Sequence, residues 1–314
     1  MLRRIAGDLF WTARYLERAQ WRARLADVNY HLLLEVPPRD ADPWEPLVQI
    51  TGEAELFGVN YSRADETSVV SFFTFDRESP SSIRRCIELA RSNLSPLRHL
   101  ISSELWLEVN RLYLDAQSWS AETLARAGMS AFFTDLRDRF YTITGIIQST
   151  MPRDLAYDFI QVGTMIERAD SVARLLDVKY HYLLPRIEDL GGPADLRQWT
   201  AVLRSASALE AFRKLYGNAI RVDRVVAILL FDPSFPRSAR FCAEQMAASL
   251  ARIAGEGQAV TAPAGLASDH LLEVLRTGSA AEAIADGLHG FLLNVQNESA
   301  AIANLVFAQH MSLG

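Results

Sequence analysis

The chain carries one segment twice, and this constrains its architecture more than any other feature. YLERAQWRARLADVNYHLLL begins at Tyr15 and MIERADSVARLLDVKYHYLL begins at Met165; aligned without gaps, they agree at 12 of 20 positions. The shared residues are Glu17/Glu167, Arg18/Arg168, Ala19/Ala169, Ala23/Ala173, Arg24/Arg174, Leu25/Leu175, Asp27/Asp177, Val28/Val178, Tyr30/Tyr180, His31/His181, Leu33/Leu183 and Leu34/Leu184. Ordinary residue frequencies give about one or two matches by chance. A second pair runs from Val69 and from Val225 and shares Phe75/Phe231, Asp76/Asp232, Pro80/Pro236, Ser82/Ser238, Arg84/Arg240, Cys86/Cys242 and Glu88/Glu244. The offset is 165 − 15 = 150 for the first pair and 225 − 69 = 156 for the second, so a net six residues entered the second half between the blocks. The expectation is a single domain over residues 1–314, made of two repeats of about 1–150 and 151–314, acting where the copies meet.

The periodicity is helical nearly throughout. Residues 5–34 contain no proline, and Leu9, Leu16 and Ala23 recur at heptad spacing. Pro37 and Pro38 end that helix. Ser79-Pro80 and Ser95-Pro96 read as helix starts, with a capping serine before a proline. Gly191-Gly192-Pro193 and the stretch from Gly255 to Pro263 read as breaks. No run alternates apolar and polar residues between turn signals, so no sheet is expected. Val69–Phe75 has β propensity, but its counterpart Val225–Phe231 continues a helical stretch, and both are assigned to helix. With no flexible linker between the halves, the fold class is all-α: a helical bundle with internal pseudo-two-fold duplication.

Composition narrows the function. At 49% hydrophobic and 22% charged residues the chain is ordinary for a soluble globular protein. Its net charge of −6 supplies no basic field for nucleic acid. No apolar run approaches the roughly 18 residues a membrane span needs. The start loosely resembles a signal peptide, but Asp8 and Arg14 interrupt its apolar run and no small-residue cleavage site follows, so a bacterial cytoplasmic location is expected. Cys86 and Cys242 occupy equivalent repeat positions and are read as small buried apolar side chains.

The candidate site is the polar stripe of the repeated helix. Glu17, Arg24 and His31 are spaced seven apart and share a face; Glu167, Arg174 and His181 repeat it. Arg18 and Arg168 begin the adjacent stripe, and Asp27 and Asp177 lie within reach of the arginine and histidine on either side. The remaining faces are so apolar that part of the charged set must be buried, and buried charges must be paired. Three readings are open. In the first the stripes cross at the pseudo-axis, Glu17 against Arg168 and Glu167 against Arg18, or against the Arg24/Arg174 equivalents, and set the register of the bundle. In the second their arginine forks hold a carboxylate or phosphate. In the third Asp27/His31 and Asp177/His181 bind metal, although the spacing is four and no bridging glutamates accompany them; no metal and no cofactor is expected. His99, His270, His289 and His310 are read as surface or core, and Trp11, Trp21, Trp106, Trp119 and Trp199 as core. Trp21-Arg22 interrupts the repeat and is a possible surface patch.

These residues resemble the Alpha-E family, a bacterial all-helical domain named for its Glu-Arg motif. The resemblance is carried by DLFWTARYLERAQWRARLADV from Asp8, STMPRDLAYDFIQVGTMIERADSVARLLDVKYHYLLP from Ser149, WTAVLRSASALEAFRKLYG from Trp199 and FDPSFPRSARFC from Phe231. Gln20, Trp21 and Arg22 depart from the family's usual Glu-Asn-Thr-like segment, and Gly163-Thr164-Met165 replaces Gly-Arg-Tyr. The resemblance implies a non-catalytic accessory of a circularly permuted ATP-grasp amidoligase in peptide or amide-bond synthesis, with a transglutaminase-like protease as a further partner. The alternative is an enzyme acting on a small amide or peptide through Glu17 and Glu167 beside Arg18 and Arg168; its catalytic residues are otherwise unassigned.

Overall fold

With no proline between residues 3 and 35, the backbone ladder has nothing to interrupt it, and α1 spans Arg3–Glu35. Its 33 residues make a rod about 50 Å long. In a computed structural model that describes residues 3–35, 42–181, 192–255 and 262–310 (the His181 side chain excepted), α1 is followed by α2 (Glu45–Thr51), α3 (Ala54–Asn60), α4 (Glu66–Thr74) and α5 (Ile83–Leu94). Next come α6 (Ser103–Ala116), α7 (Ala121–Ala127), α8 (Met129–Thr150) and α9 (Leu155–His181). The remainder is α10 (Pro193–Ser205), α11 (Leu209–Tyr216), α12 (Val222–Val226), α13 (Ala239–Ala254), α14 (Pro263–Thr277), α15 (Ala280–Ala285) and α16 (Leu288–His310). No strand occurs among the described residues, so the fold is all-α.

Two compact units are present. One comprises Met1–Val48, Gly52–Thr164 and His310–Gly314; the other comprises Gln49–Thr51 and Met165–Gln309. In the first, α1 lies against α5, α8 and α4, and α6 against α5 and α8. The heptad face of α1 enters this core: Leu9 and Ala23 are fully buried, and so in the helices packed on α1 are Phe72, Phe73, Ile87, Phe133 and Phe140. In the second, α13 packs on α14 over a core of Leu229, Met246, Leu250, Leu271 and Leu292. Both cysteines are buried and unbridged.

Val69–Phe75 is helical, as its repeat partner implied, and forms most of α4. Val225–Phe231 is helical too, but its last five residues, Ala227–Phe231, widen into a π-helical turn. Helix starts fall slightly later than the serine–proline pairs suggest. Ser79-Pro80 lies in a turn, and Ser82 caps α5 by accepting from Arg85 N at 3.3 Å. Ser95-Pro96 continues the end of α5 as a short 3₁₀ turn, and Ser102 caps α6 at Leu105 N, 3.2 Å away. The reason is geometric: a cap must bring its oxygen to a first-turn amide, and a proline at the next position does not ensure that. Ser238, the repeat counterpart of Ser82, likewise caps α13 at Phe241 N, 2.9 Å away.

The core expectation for tryptophan holds for Trp21 and Trp199, each 5% exposed, whereas Trp11, Trp106 and Trp119 are half-buried. Guanidinium groups cover two of them instead: Arg14 lies over Trp11, and Arg91 and Arg98 lie over Trp106, while Trp119 packs edge-on against Phe132. The most buried tryptophan is Trp44 at 2%.

Within the first unit α9 enters against α1 with almost no side chain between the backbones. A Cβ added at Gly163 would overlap the Phe10 carbonyl oxygen and sit 3.2 Å from the Ala13 Cβ. Alanine in place of glycine favours a helix by about 1 kcal/mol, but the obstruction is backbone and cannot rotate away. Overpacking of this kind costs about 1–3 kcal/mol. Gly163→Ala is therefore expected to lower the thermal midpoint by several degrees, measured by circular dichroism. An unchanged or raised midpoint would show that α1 and α9 do not approach so closely.

Candidate functional site

The repeated segment occupies the second half of α1 and the end of α9. On α1, Glu17, Arg24 and Asp27 are buried, Arg18 and His31 half-buried; on α9, Glu167 is buried and Arg168, Arg174 and Asp177 are half-buried. His181 closes α9, and its side chain lies outside the described residues. Glu17 and Glu167 are 5% and 4% exposed, and neither they nor Arg18 and Arg168 lack a partner. A carboxylate so far from water survives only when matched, since the desolvation cost is several kcal/mol per ion.

In the first unit α8 supplies the groups that face the stripe. Ser130, Arg137 and Tyr141 lie at spacings of seven and four, one face of that helix. Ser130 Oγ is 3.3 Å from His31 Nε2, Arg137 Nη1 is 3.8 Å from Asp27 Oδ2, and Arg24 Nη2 donates to Tyr141 Oη at 3.4 Å. The sequence numbers fall on one helix as they rise on the other, so α1 and α8 run antiparallel here. His31 Nδ1 faces two oxygens of the preceding turn, the Asp27 carbonyl at 2.8 Å and Asp27 Oδ1 at 3.4 Å. Burial pushes the Asp27 carboxyl above its ordinary range, and His31 and Arg137 pull it partly back.

The second copy keeps the residues but not the partners. Arg174 Nε donates to Asp170 Oδ2 at 2.8 Å on its own helix. Asp177, the counterpart of Asp27, meets His289 of α16, Nδ1 to Oδ1 at 2.6 Å. Sequence reading left His289 as an isolated surface or core residue, because nothing local signals a pairing across 112 positions. Among the described residues no group of three or more His, Cys, Asp or Glu side chains gathers as a metal site.

Two cations outside the predicted stripe, Arg22 and Lys179, are deeply placed. Arg22, 1% exposed, is no surface patch: its Nη2 donates to Glu53, which also accepts from Ser81, and its guanidinium lies 4.8 Å from the Phe73 ring centre. Lys179, 2% exposed, donates from Nζ to Asp195 Oδ1 at 3.1 Å and Gln198 Oε1 at 2.6 Å and lies over Trp199. Burial holds the Lys179 ammonium below its ordinary pKa, against the opposing pull of Asp195. The signal was present as a departure: Val172 and Asn29 stand at the equivalent repeat positions, so each copy holds one cation the other lacks.

Such a helical protein, with no strand among the described residues and a Glu-Arg pair whose glutamate is buried in each of two like helices, belongs to the class of all-helical Glu-Arg domains. The chain belongs to the Alpha-E family, described as a predicted alpha-helical domain with a conserved ER motif, whose model matches residues 1–311. It is similar to uncharacterized protein Rv2567 of Mycobacterium tuberculosis, 24% identical over 270 residues, covering 80% of this chain and 30% of the relative. Uncharacterized protein Mb2597 of Mycobacterium bovis matches to the same extent. The chain thus spans 30% of the length of these relatives. No solved structure matches.

The Lys179–Asp195 pair makes a clean test of buried charge. Removing one partner of such a pair costs about 3–5 kcal/mol, whereas replacing both by apolar groups of similar volume is close to neutral. Asp195→Leu is expected to destabilise strongly, and the double variant Lys179→Met/Asp195→Leu to recover most of the loss in urea unfolding. Strict additivity of the two single changes would contradict the pairing. Asp27 gives a pH test. Because its folded pKa is raised, the folded state holds the extra proton, and this group's contribution weakens as pH rises from the ordinary carboxylate range through the raised value. Asp27→Asn should flatten that part of the stability profile; an unaltered profile would contradict it.

Proposed function

We propose that this protein is an accessory partner of an ATP-grasp amidoligase in the bacterial cytoplasm, serving peptide or amide-bond synthesis, with its Glu-Arg motifs contributing structure rather than chemistry. The observation that carries the structural role is the burial of Glu17 and Glu167. An acid–base pair must reach its substrate, and carboxylates so enclosed offer no face to one. This weighs against the alternative of an amide- or peptide-modifying enzyme built on Glu17/Arg18 and Glu167/Arg168. The partner role is supported by the family and by the relatives, in which the matched stretch is 30% of a much longer chain. A domain joined to further sequence in its relatives is suited to act beside other domains or proteins. A transglutaminase-like protease is a second candidate partner. No described helix is long and apolar enough to cross a membrane, and the charge of −6 offers nothing to nucleic acid.

We also propose that the chain is one domain of two fused copies, about 1–150 and 151–314, related by a local two-fold. The sequence identities support it, and so does the pairing of Ser82 with Ser238 as caps. Gly163 lies against Ala13, its own repeat equivalent. Contact between equivalent positions is what a two-fold axis produces.

Capture of the tagged protein from its native host, followed by mass spectrometry, should recover an ATP-grasp ligase, and deletion of this chain should abolish or sharply reduce that ligase's product. Recovery of the ligase with product formation indifferent to the deletion would overturn the accessory role. Recovery of no ligase from well-expressed bait would overturn the partnership.

A further inference from the structure

The contact between α1 and α8 contains a second kind of chemistry that the Glu-Arg motifs do not use. His31 Nδ1 faces the Asp27 carbonyl at 2.8 Å and the Asp27 carboxylate at 3.4 Å, both acceptors, so the ring proton resides on Nδ1. Nε2 is thereby left as an acceptor, and the group beside it at 3.3 Å is the Ser130 hydroxyl. A hydroxyl donating to an imidazole whose other nitrogen is fixed by a main-chain carbonyl, with the Asp27 carboxylate 3.4 Å away to balance an imidazolium, is an arrangement that activates a serine. Distances of this size are usual before a substrate is bound.

We propose that Ser130, His31 and Asp27 form an acyl-transfer site, with Ser130 as nucleophile, His31 as general base and Asp27 as positioning residue, acting on esters or comparably activated acyl compounds. Access is open: the His31 side chain is 42% exposed and Ser130 is half-buried. His31 Nε2 takes the Ser130 proton as Oγ bonds to the acyl carbon. The bond to the leaving oxygen then breaks, and that oxygen departs with the proton from Nε2. Water, deprotonated in turn by Nε2, attacks the acyl-serine, releases the carboxylic acid and restores Ser130; ester and water become acid and alcohol. Ser130 stands in the first turn of α8, which has no side-chain cap, so its amides are placed to receive the oxyanion. Arg137, 3.8 Å from Asp27, balances the carboxylate and helps keep it ionised beside the imidazolium.

The Glu-Arg motifs take no part in this chemistry, so the site and the ligase partnership stand or fall separately. The test uses the full chain and a fluorophosphonate probe, read by intact mass and peptide mapping, with p-nitrophenyl acetate hydrolysis alongside. The expected result is a single adduct on Ser130. General-base assistance contributes roughly 10²–10⁴-fold, so labelling and hydrolysis should fall by about 100-fold or more in His31→Gln and vanish in Ser130→Ala, with unchanged circular dichroism. The wild-type map needs no variant to fold. An unlabelled Ser130, an adduct on another residue, or equal rates in wild type and a folded His31→Gln would overturn the proposal.

Discussion

Everything in this fold depends on how charge is carried inside two long helices. α1 places Glu17, Arg22, Arg24 and Asp27 in surroundings that include Leu16, Ala19, Ala23 and Leu25, all buried. α9 places Glu167 and Lys179 among Ile166, Ala169, Ala173 and Leu176 in the same way. Each charge costs several kcal/mol to desolvate and is tolerated only where a second element arrives in a fixed register with the complementary group. The flanking helices and turns therefore answer the charges as well as the apolar face. Glu53 and Ser81 come to Arg22, Tyr141 comes to Arg24, Arg137 comes to Asp27, and Asp195 and Gln198 come to Lys179. An apolar face alone would accept several registers of nearly equal energy; a buried ion accepts far fewer.

The two copies solve this problem with different hardware. Asp27 is met by the histidine one turn along its own helix, while Asp177 is met by His289 from α16. Arg22 is buried in one copy and Lys179 in the other, each at a position where its counterpart is uncharged. Between the two like segments the charge on the motif is kept, and its partners differ.

The helical class was legible because heptad spacing, prolines and the repeat all point the same way, and the family followed from motifs along the whole chain. The burial of the Glu-Arg helix was legible from its apolar faces. The partners were not, because ion pairs such as Asp177–His289 join residues 112 positions apart that no periodicity links. The burial of Arg22 is not legible because an arginine beside a tryptophan fits a surface patch as well as a core until Glu53 and Phe73 are placed around it. The helix starts at Ser82 and Ser102 lie three and seven residues beyond Ser79 and Ser95 because the serine–proline pairs compete as signals, and only the amide each oxygen reaches decides between them. The Ser130–His31 contact spans 99 positions and was invisible for the same reason.

The central claim is that Glu17 and Glu167 hold the fold rather than perform a reaction. Its most direct test is the urea unfolding free energy of Glu17→Gln and Glu167→Gln, measured beside capture of the partner by whatever variant remains folded. The account predicts that each substitution lowers stability, since uncoupling a buried charge costs about 3 kcal/mol, while molecules that stay folded still capture the partner. Two variants as stable as wild type that have lost the partner, or an activity, would contradict it and return the Glu-Arg motifs to the role of a working site.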